Sequence, residues 1–125
     1  MKKLTAEWLA KAEDDLATAR KLLRGKPVLA DQVAFHSQQA VEKFLKALLQ
    51  EWSLPVPRTH DIPRLIDLLL PTDNTLRPMR RGTKSLTRYA VEYRYPGLHT
   101  SLRQARTATQ KAGLFRKEVR KRLGL

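Results

Sequence analysis

Residues 36–48 read HSQQAVEKFLKAL, and the predicted fold follows from this stretch. Its apolar residues recur every three or four positions, at Ala40, Val41, Phe44, Leu45 and Leu48. That spacing places them on one face of an α-helix. We expect the helix to extend from about Val33 to Trp52. Pro55 and Pro57 end it, because a proline disfavours helical geometry in the residue before it.

A first amphipathic helix precedes this one. Its apolar residues also repeat at threes and fours, at Leu4, Trp8, Leu9, Ala12, Leu16, Ala19 and Leu23. We place its start at Thr5, and Gly25 with Pro27 supplies the stop. Both tryptophans, Trp8 and Trp52, are expected in the core.

A short third helix and a longer fourth helix follow. The third is predicted between Pro57 and Pro71, where Asp61 is well placed to accept a backbone N–H of the first turn. The fourth is predicted over residues 75–93, and Gly82 weakens its middle because glycine is a poor helix former. The spacing therefore leaves the fourth helix either continuous or broken.

A final helix is expected to begin at Leu98, after the break at Pro96 and Gly97, and to continue to the C-terminus. We find no strand alternation, internal repeat or linker that would mark a domain boundary. A length of 125 residues suits one domain. The sequence thus predicts a single all-α domain over residues 1–125, an antiparallel up-and-down bundle of four to five helices.

The composition excludes several classes of protein. The absence of cysteine removes thiol chemistry and disulfides. No apolar run approaches the roughly 20 residues that cross a bilayer, and acidic residues interrupt the N-terminus before a signal peptide can form. We therefore expect a soluble, cytoplasmic protein without membrane contact.

Positive charge is concentrated near the C-terminus. The net charge is +13, and residues 77–125 alone hold fourteen Lys or Arg against two acidic residues, a net of +12. Such a field attracts polyanions without reading their sequence. A solvated basic face, a lipid contact or an acidic partner would fit residues 116–122 as well, but phosphate is favoured. RNA or a nucleotide is the predicted partner.

Arg94 and His99 are the candidate catalytic pair. If one helix ends at Arg94 and the next opens at His99, the two side chains lie at the same turn. A helix N-terminus disfavours an imidazolium, so His99 is kept neutral and able to accept a proton. The neutral ring could take the proton of an RNA 2′-hydroxyl while the guanidinium stabilises charge on the phosphate. On spacing alone, the interpretation in which the pair only ties down a turn between helices is favoured over the catalytic one.

Other residues complete the predicted site. A two-fold dimer would bring a second His99 across the interface as the general acid. Substrate contacts are expected from four residues near the pair, namely Arg88, Tyr95, Arg103 and Arg106. The histidines show no short ligand spacing and no HExxH pattern, so no metal or cofactor is predicted. His36 and His60 are interpreted as hydrogen-bonded structural histidines.

Three blocks of the sequence resemble the HEPN (higher eukaryotes and prokaryotes nucleotide-binding) domain family. Residues 36–48 resemble its second helix, residues 59–62 (THDI) the loop that follows, and residues 94–97 (RYPG) the segment before its last helix. The blocks occur in the family's order and at similar separations, so the resemblance spans essentially the whole chain.

The resemblance implies an all-α bundle of four to five helices that often dimerises. It also implies a metal-independent ribonuclease, with Arg94 and His99 at the nuclease positions. Many such members are toxins paired with a small nucleotidyltransferase antitoxin. In one branch the antitoxin modifies a Tyr two residues after the His, whereas this chain has Ser101 there. Other members have lost the nuclease pair and act as nucleotide-binding or partner-binding modules, which is the alternative function here.

Overall fold

The computed structural model describes residues 1–92 and 95–125. Across those ranges the chain is all-α, with no strand. The elements are α1 (Lys3–Leu23), α2 (Ala30–Glu51), α3 (Ile62–Leu69), a 3₁₀ helix (Asn74–Arg80), α4 (Thr83–Val91) and α5 (Leu102–Arg122). The predicted fold class is confirmed.

Helix α2 is the centre of the molecule. It packs most extensively on α1, then on α5, and its remaining sides contact α3 and α4. Thirteen of its residues are buried, and the largest of them are Phe44, Leu45, Leu48 and Leu49. Residues 36–48 therefore lie at the centre of the bundle of α1, α2 and α5, because α2 is apolar on more than one side.

Helix α1 begins earlier than predicted. It starts at Lys3, and the backbone N–H of Ala6 already donates to the carbonyl of Lys2. Thr5 is fully buried on the inner face rather than capping the helix. Leu4, in the first turn, is exposed. Trp8 is half-buried, and the Lys46 ammonium lies 5.5 Å from its ring centroid.

Helix α3 lies where it was predicted. Its inner face buries Ile62, Leu65, Ile66 and Leu69. The Asp61 carboxylate accepts the backbone N–H of Arg64 at 3.2 Å, which confirms Asp61 as the cap.

The fourth helix is broken, and its continuous form over residues 75–93 is wrong. A 3₁₀ helix holds Pro78, whose missing N–H cannot support an α-helical ladder. Gly82 then adopts a left-handed conformation (φ 76°), and α4 starts only at Thr83. The predicted end at Tyr93 lies outside the described residues.

Helix α5 begins at Leu102, four residues after the predicted start. Ser101 is its cap: the Ser101 hydroxyl accepts the N–H of Gln104 at 3.0 Å, and the Gln104 side chain accepts the N–H of Ser101 at 2.9 Å. This reciprocal capping box fixes the first turn. Residues 98–100 therefore form an extended lead-in, with His99 outside the helix.

Much of the basic C-terminal run is neutralised by ion pairs within the fold. Arg116 contacts Glu13 on α1 at 2.8 Å, and Arg120 contacts the same carboxylate at 3.7 Å. Arg122 contacts Asp73 and Glu118, each at 2.7 Å. Within the described ranges, Lys117 and Lys121 are the members of this run that form no ion pair. Residues 116–122 are therefore not a free basic tail.

Two carboxyl groups in this region titrate below their ordinary range. Hydrogen bonds from Thr75 and then from Arg122 lower the pKa of Asp73, and the hydrogen bond from Arg122 lowers the pKa of Glu118. Asp73 joins the end of α5 to the start of the 3₁₀ helix through Arg122, and Glu118 holds the Arg122 side chain from within α5.

Candidate functional site

His99 lies in an open groove between the first turns of α2 and the segment that leads into α5. The groove has a volume of about 410 Å³ and is lined by Asp31, Gln32, Phe35, Tyr95, Pro96, Leu98 and His99. The His99 side chain is 79% exposed. The imidazole is thus open to a ligand rather than sealed in the core.

Asp31 joins the two walls of this groove. One carboxylate oxygen accepts the backbone N–H of Thr100 at 2.5 Å, and the other lies 3.5 Å from His99 Nδ1. Asp31 sits in the first turn of α2, so a rigid helix positions a carboxylate against the lead-in to α5. A carboxylate at this distance from Nδ1 favours the protonated ring by its charge, and Nε2 remains available to a ligand.

Sequence reasoning missed Asp31. An acidic residue in the first turn of a helix is common, because it complements the helix dipole, and so carries no sign of function. Only the long-range packing of α2 against the start of α5 reveals its second role.

The expected position of His99 at the head of the last helix is wrong. The cap of α5 is Ser101, so His99 lies two residues before it and contributes nothing to the first turn. The charged group beside the ring is Asp31 instead. Arg94, the other member of the predicted pair, lies outside the described residues, as does Tyr93.

The predicted substrate contacts divide between two places. Tyr95 lines the groove with His99 and is 66% exposed. Arg103 and Arg106 are exposed on the first two turns of α5, and neither forms an ion pair in the described part of the chain. Arg88 instead lines a different cleft and donates from Nε to Glu92 at 2.8 Å.

Three exposed leucines lie in the segments that form the groove. Leu29, Leu98 and Leu102 are all exposed to solvent, although they are large aliphatic residues. They lie just before α2, beside His99 and at the start of α5. An exposed apolar border of this kind marks a surface that another molecule can cover.

The other two histidines are hydrogen-bonded, as predicted. His36 Nδ1 lies 3.1 Å from Asp15 on α1, and Lys43 also contacts that carboxylate. His60 Nδ1 lies 2.7 Å from Glu42 on α2. The ring of His60 is largely exposed, whereas Glu42 is buried.

The described residues contain neither a metal-binding cluster nor a membrane-spanning helix. Over residues 1–92 and 95–125, no three His, Asp or Glu side chains are grouped so that they could hold a metal ion. In the same ranges, no helix combines the length and apolarity needed to traverse a bilayer.

Comparison with known proteins identifies the family. The sequence model of the HEPN domain matches residues 5–122, which is almost the whole chain. No curated protein and no solved structure gives a significant match. The chain belongs to the HEPN domain family, a family of nucleotide-binding domains.

Proposed function

We propose that this chain is an RNA-binding HEPN protein, one domain over residues 1–125, that cleaves RNA without a metal ion. The observation that supports the proposal is the exposed His99 imidazole, which faces an open groove with a carboxylate at its Nδ1. A histidine with only a structural role would have no need of this exposure.

The reaction proposed is an attack of a ribose on its own phosphate. Nε2 of His99 takes the proton of the 2′-hydroxyl, and the 2′-oxygen forms a bond to phosphorus. The bond from phosphorus to the 5′-oxygen of the next nucleotide breaks, and that oxygen receives a proton. The products are a 2′,3′-cyclic phosphate and a 5′-hydroxyl. Arg94 stabilises the negative charge that builds on the phosphate oxygens.

Asp31 supports His99 in this proposal. Because its carboxylate lies 3.5 Å from Nδ1, its negative charge stabilises the imidazolium that forms when Nε2 accepts a proton. Its second bond, to the N–H of Thr100, holds the lead-in segment at the correct distance from α2. Asp31 is therefore a positioning residue.

A homodimer would supply the second proton-transfer group. The exposed Leu29, Leu98 and Leu102 provide an apolar surface at the groove, and a two-fold axis there would bring the partner's copy of the site opposite this one. The proton for the leaving oxygen then comes from His99 of the second copy. Tyr95, Arg103 and Arg106 would contact the flanking nucleotides.

The biological role proposed is that of a toxin restrained by a small nucleotidyltransferase antitoxin. Family membership and the concentrated positive charge support this role. Ser101 occupies the position that carries a modified Tyr in one branch, and its hydroxyl already accepts the N–H of Gln104. Restraint by direct binding over the groove therefore fits this chain better than modification at residue 101.

Cleavage of RNA by the purified protein in the presence of a chelator tests the proposal. His99→Ala should abolish cleavage and leave the thermal unfolding temperature within about 2 °C of wild type, because the side chain is exposed. His36→Ala is the matched control, since it also removes a histidine bonded to a carboxylate. Equal cleavage by the wild type and His99→Ala would end the assignment.

A non-catalytic binding module is the second candidate. The 3.5 Å separation between His99 and Asp31 favours it, since this is longer than an ordinary hydrogen bond. Under this alternative the wild type would bind RNA and release it uncut, and His99→Ala would change neither result.

A further inference from the structure

The environment of His60 points to a second functional site. Its Nδ1 lies 2.7 Å from Oε1 of Glu42, a carboxylate whose side chain is only 5% exposed. The other oxygen of Glu42 contacts the Lys46 ammonium at 3.3 Å, and the Gln38 amide donates to Oε1 at 3.4 Å. The carboxylate is thus fixed from three sides, and it fixes the ring in turn.

The opposite edge of His60 is open. The side chain is 58% exposed, and Nε2 has no hydrogen-bond partner within residues 1–92 and 95–125. In the neutral ring, Nδ1 carries the proton that Glu42 accepts, so Nε2 presents a lone pair. When the ring is neutral, this arrangement presents a hydrogen-bond acceptor at the surface. A buried Glu–Lys pair is a costly support for a histidine whose only role is local packing.

A cationic cleft begins at the residue next to His60. Asp61 lines it together with α4 and the end of the 3₁₀ helix, and its volume is about 640 Å³. The backbone N–H of Ile62 donates to Thr87 Oγ1 at 3.0 Å, which ties the His60 loop to α4. The loop that carries His60 is therefore tied to one wall of the cleft.

Some cationic side chains of the cleft are held in ion pairs within the fold, and others are available to a ligand. Arg80 is held by two bonds to Asp67, at 2.8 and 3.1 Å. Arg81 and Lys84 are exposed and form no ion pair in the described part of the chain. Two available cations, in a cleft whose lining begins one residue after a lone-pair acceptor, match a ribose–phosphate unit, in which a phosphate carries the charge and the 2′-hydroxyl carries a donor.

This second site is too far from His99 to act on the same bond. Asp31 and Glu42 lie on one stripe of α2, eleven residues apart, which is about 16 Å along the helix axis. That length corresponds to several stacked nucleotides of one strand. A ligand that spans both sites is therefore an oligonucleotide rather than a single nucleotide.

We propose that His60, Arg81 and Lys84 form a subsite for a ribose–phosphate unit of an RNA strand, several nucleotides from the bond that is cut. The subsite rests on the proposed function, because it assigns the same RNA a second contact. His60 accepts the 2′-hydroxyl and thereby distinguishes RNA from DNA, while Arg81 and Lys84 bind the phosphate of either strand. The protein would consequently favour a long RNA over a dinucleotide.

Binding of labelled twelve-nucleotide RNA and DNA strands of the same sequence tests the subsite. All proteins carry His99→Ala, so that no strand is cut. His60→Ala should weaken RNA binding about fivefold, the equivalent of one lost hydrogen bond, and leave DNA binding within about twofold. Arg81→Ala with Lys84→Ala should weaken both and make the slope of log affinity against log salt shallower by about 0.7, the value for one phosphate of a single strand.

Matched controls separate the subsite from general effects of charge and folding. His36→Ala removes the other carboxylate-bound histidine, and Lys117→Ala with Lys121→Ala removes two exposed, unpaired lysines of α5. Both should bind like the parent protein. Equal losses in controls and test variants, or a loss at His60 that is the same for RNA and DNA, would overturn the subsite.

A second readout distinguishes failure of the subsite from failure of the proposed function. In the wild-type background, the His60 and Arg81/Lys84 variants should cut a dinucleotide at the wild-type rate. If the wild type neither binds nor cuts RNA, the proposed function is wrong. The subsite is then judged by titrating the protein with ribose 5-phosphate and recording the histidine ring signals by NMR. A shift at His60 and not at His36 supports it, and unchanged signals overturn it.

Discussion

Replacing Arg122 with methionine should destabilise the fold in a way that depends on pH. The guanidinium joins the last turn of α5 to the start of the 3₁₀ helix. It donates to Asp73 at 2.7 Å, to Thr75 Oγ1 at 2.8 Å, and to both the side chain and the carbonyl of Glu118, at 2.7 and 3.0 Å. Methionine keeps the aliphatic part of the side chain and removes all four bonds.

The magnitude follows from the burial of the partners. Hydrogen bonds to charged groups contribute about 1.5–3 kcal/mol each when they are desolvated, whereas exposed pairs contribute roughly 0–1. Arg122 is 14% exposed, but Asp73 and Glu118 are 24% and 36% exposed and can hydrate once the guanidinium is gone. We therefore expect a loss of about 2 kcal/mol at pH 7, which lowers the unfolding temperature by roughly 6–10 °C.

The sign of the pH effect follows from the two carboxyl groups. Thr75 and Arg122 lower the pKa of Asp73, and Arg122 lowers the pKa of Glu118. A lowered pKa in the folded state contributes stability that is present above the ordinary carboxyl range and is lost as the pH falls through the lowered value. The difference between wild type and Arg122→Met should thus be largest near neutral pH and should shrink below about pH 4.

Urea unfolding of both proteins between pH 2.5 and pH 7 measures this difference. Arg116→Met is the control, because Arg116 and its partner Glu13 are both about one-third exposed and Arg120 also contacts Glu13. We expect a loss of at most about 1 kcal/mol there. A difference between Arg122→Met and wild type that stays constant over the whole pH range would refute the reasoning and assign the effect to packing.

Two further predictions concern α4 and the groove. Gly82→Ala should lower the free energy of unfolding by about 1–2 kcal/mol, because φ is 76° there and a Cβ would meet the Lys111 ammonium. Urea unfolding measures it, and an unchanged midpoint would contradict the left-handed turn. Asp31→Asn should slow RNA cleavage at least about tenfold in single-turnover assays with RNA affinity nearly unchanged, since it removes the charge beside His99. A matched fall in affinity and rate would make Asp31 a binding residue instead.

Most of the fold could be predicted from the sequence because its helices are bounded by local signals. Prolines follow the end of α2 closely, Asp61 caps α3, and the apolar spacing identifies the faces of both. The fourth helix was ambiguous because a glycine can interrupt a helix or remain within it.

The late start of α5 had a readable local signal. Ser101 followed three residues later by Gln104 is the sequence pattern of a capping box. The break at Pro96 and Gly97 led to a predicted start at Leu98, which is four residues too early. A serine three residues before a glutamine outweighs an upstream break, because it supplies partners for two orphan N–H groups.

The candidate site was less predictable than the fold. His99 could be singled out because histidine is rare in this chain and follows a break. Asp31, which contacts it, lies 68 positions earlier, and no local pattern links the two. The same holds for Glu13 and Arg116, whose pairing turns an apparent basic tail into part of the bundle.

Because the Asp31 carboxylate lies beside His99, the orientation of the imidazole depends on whether the first turn of α2 stays folded. Leu29, the residue that caps α2, offers no side-chain hydrogen bond, so the first turn of that helix is the part most prone to fraying. When this turn opens, it releases the Thr100 amide and the imidazole in the same event. A protein that bound and distorted the start of α2 would thereby disrupt the arrangement of His99 without entering the groove.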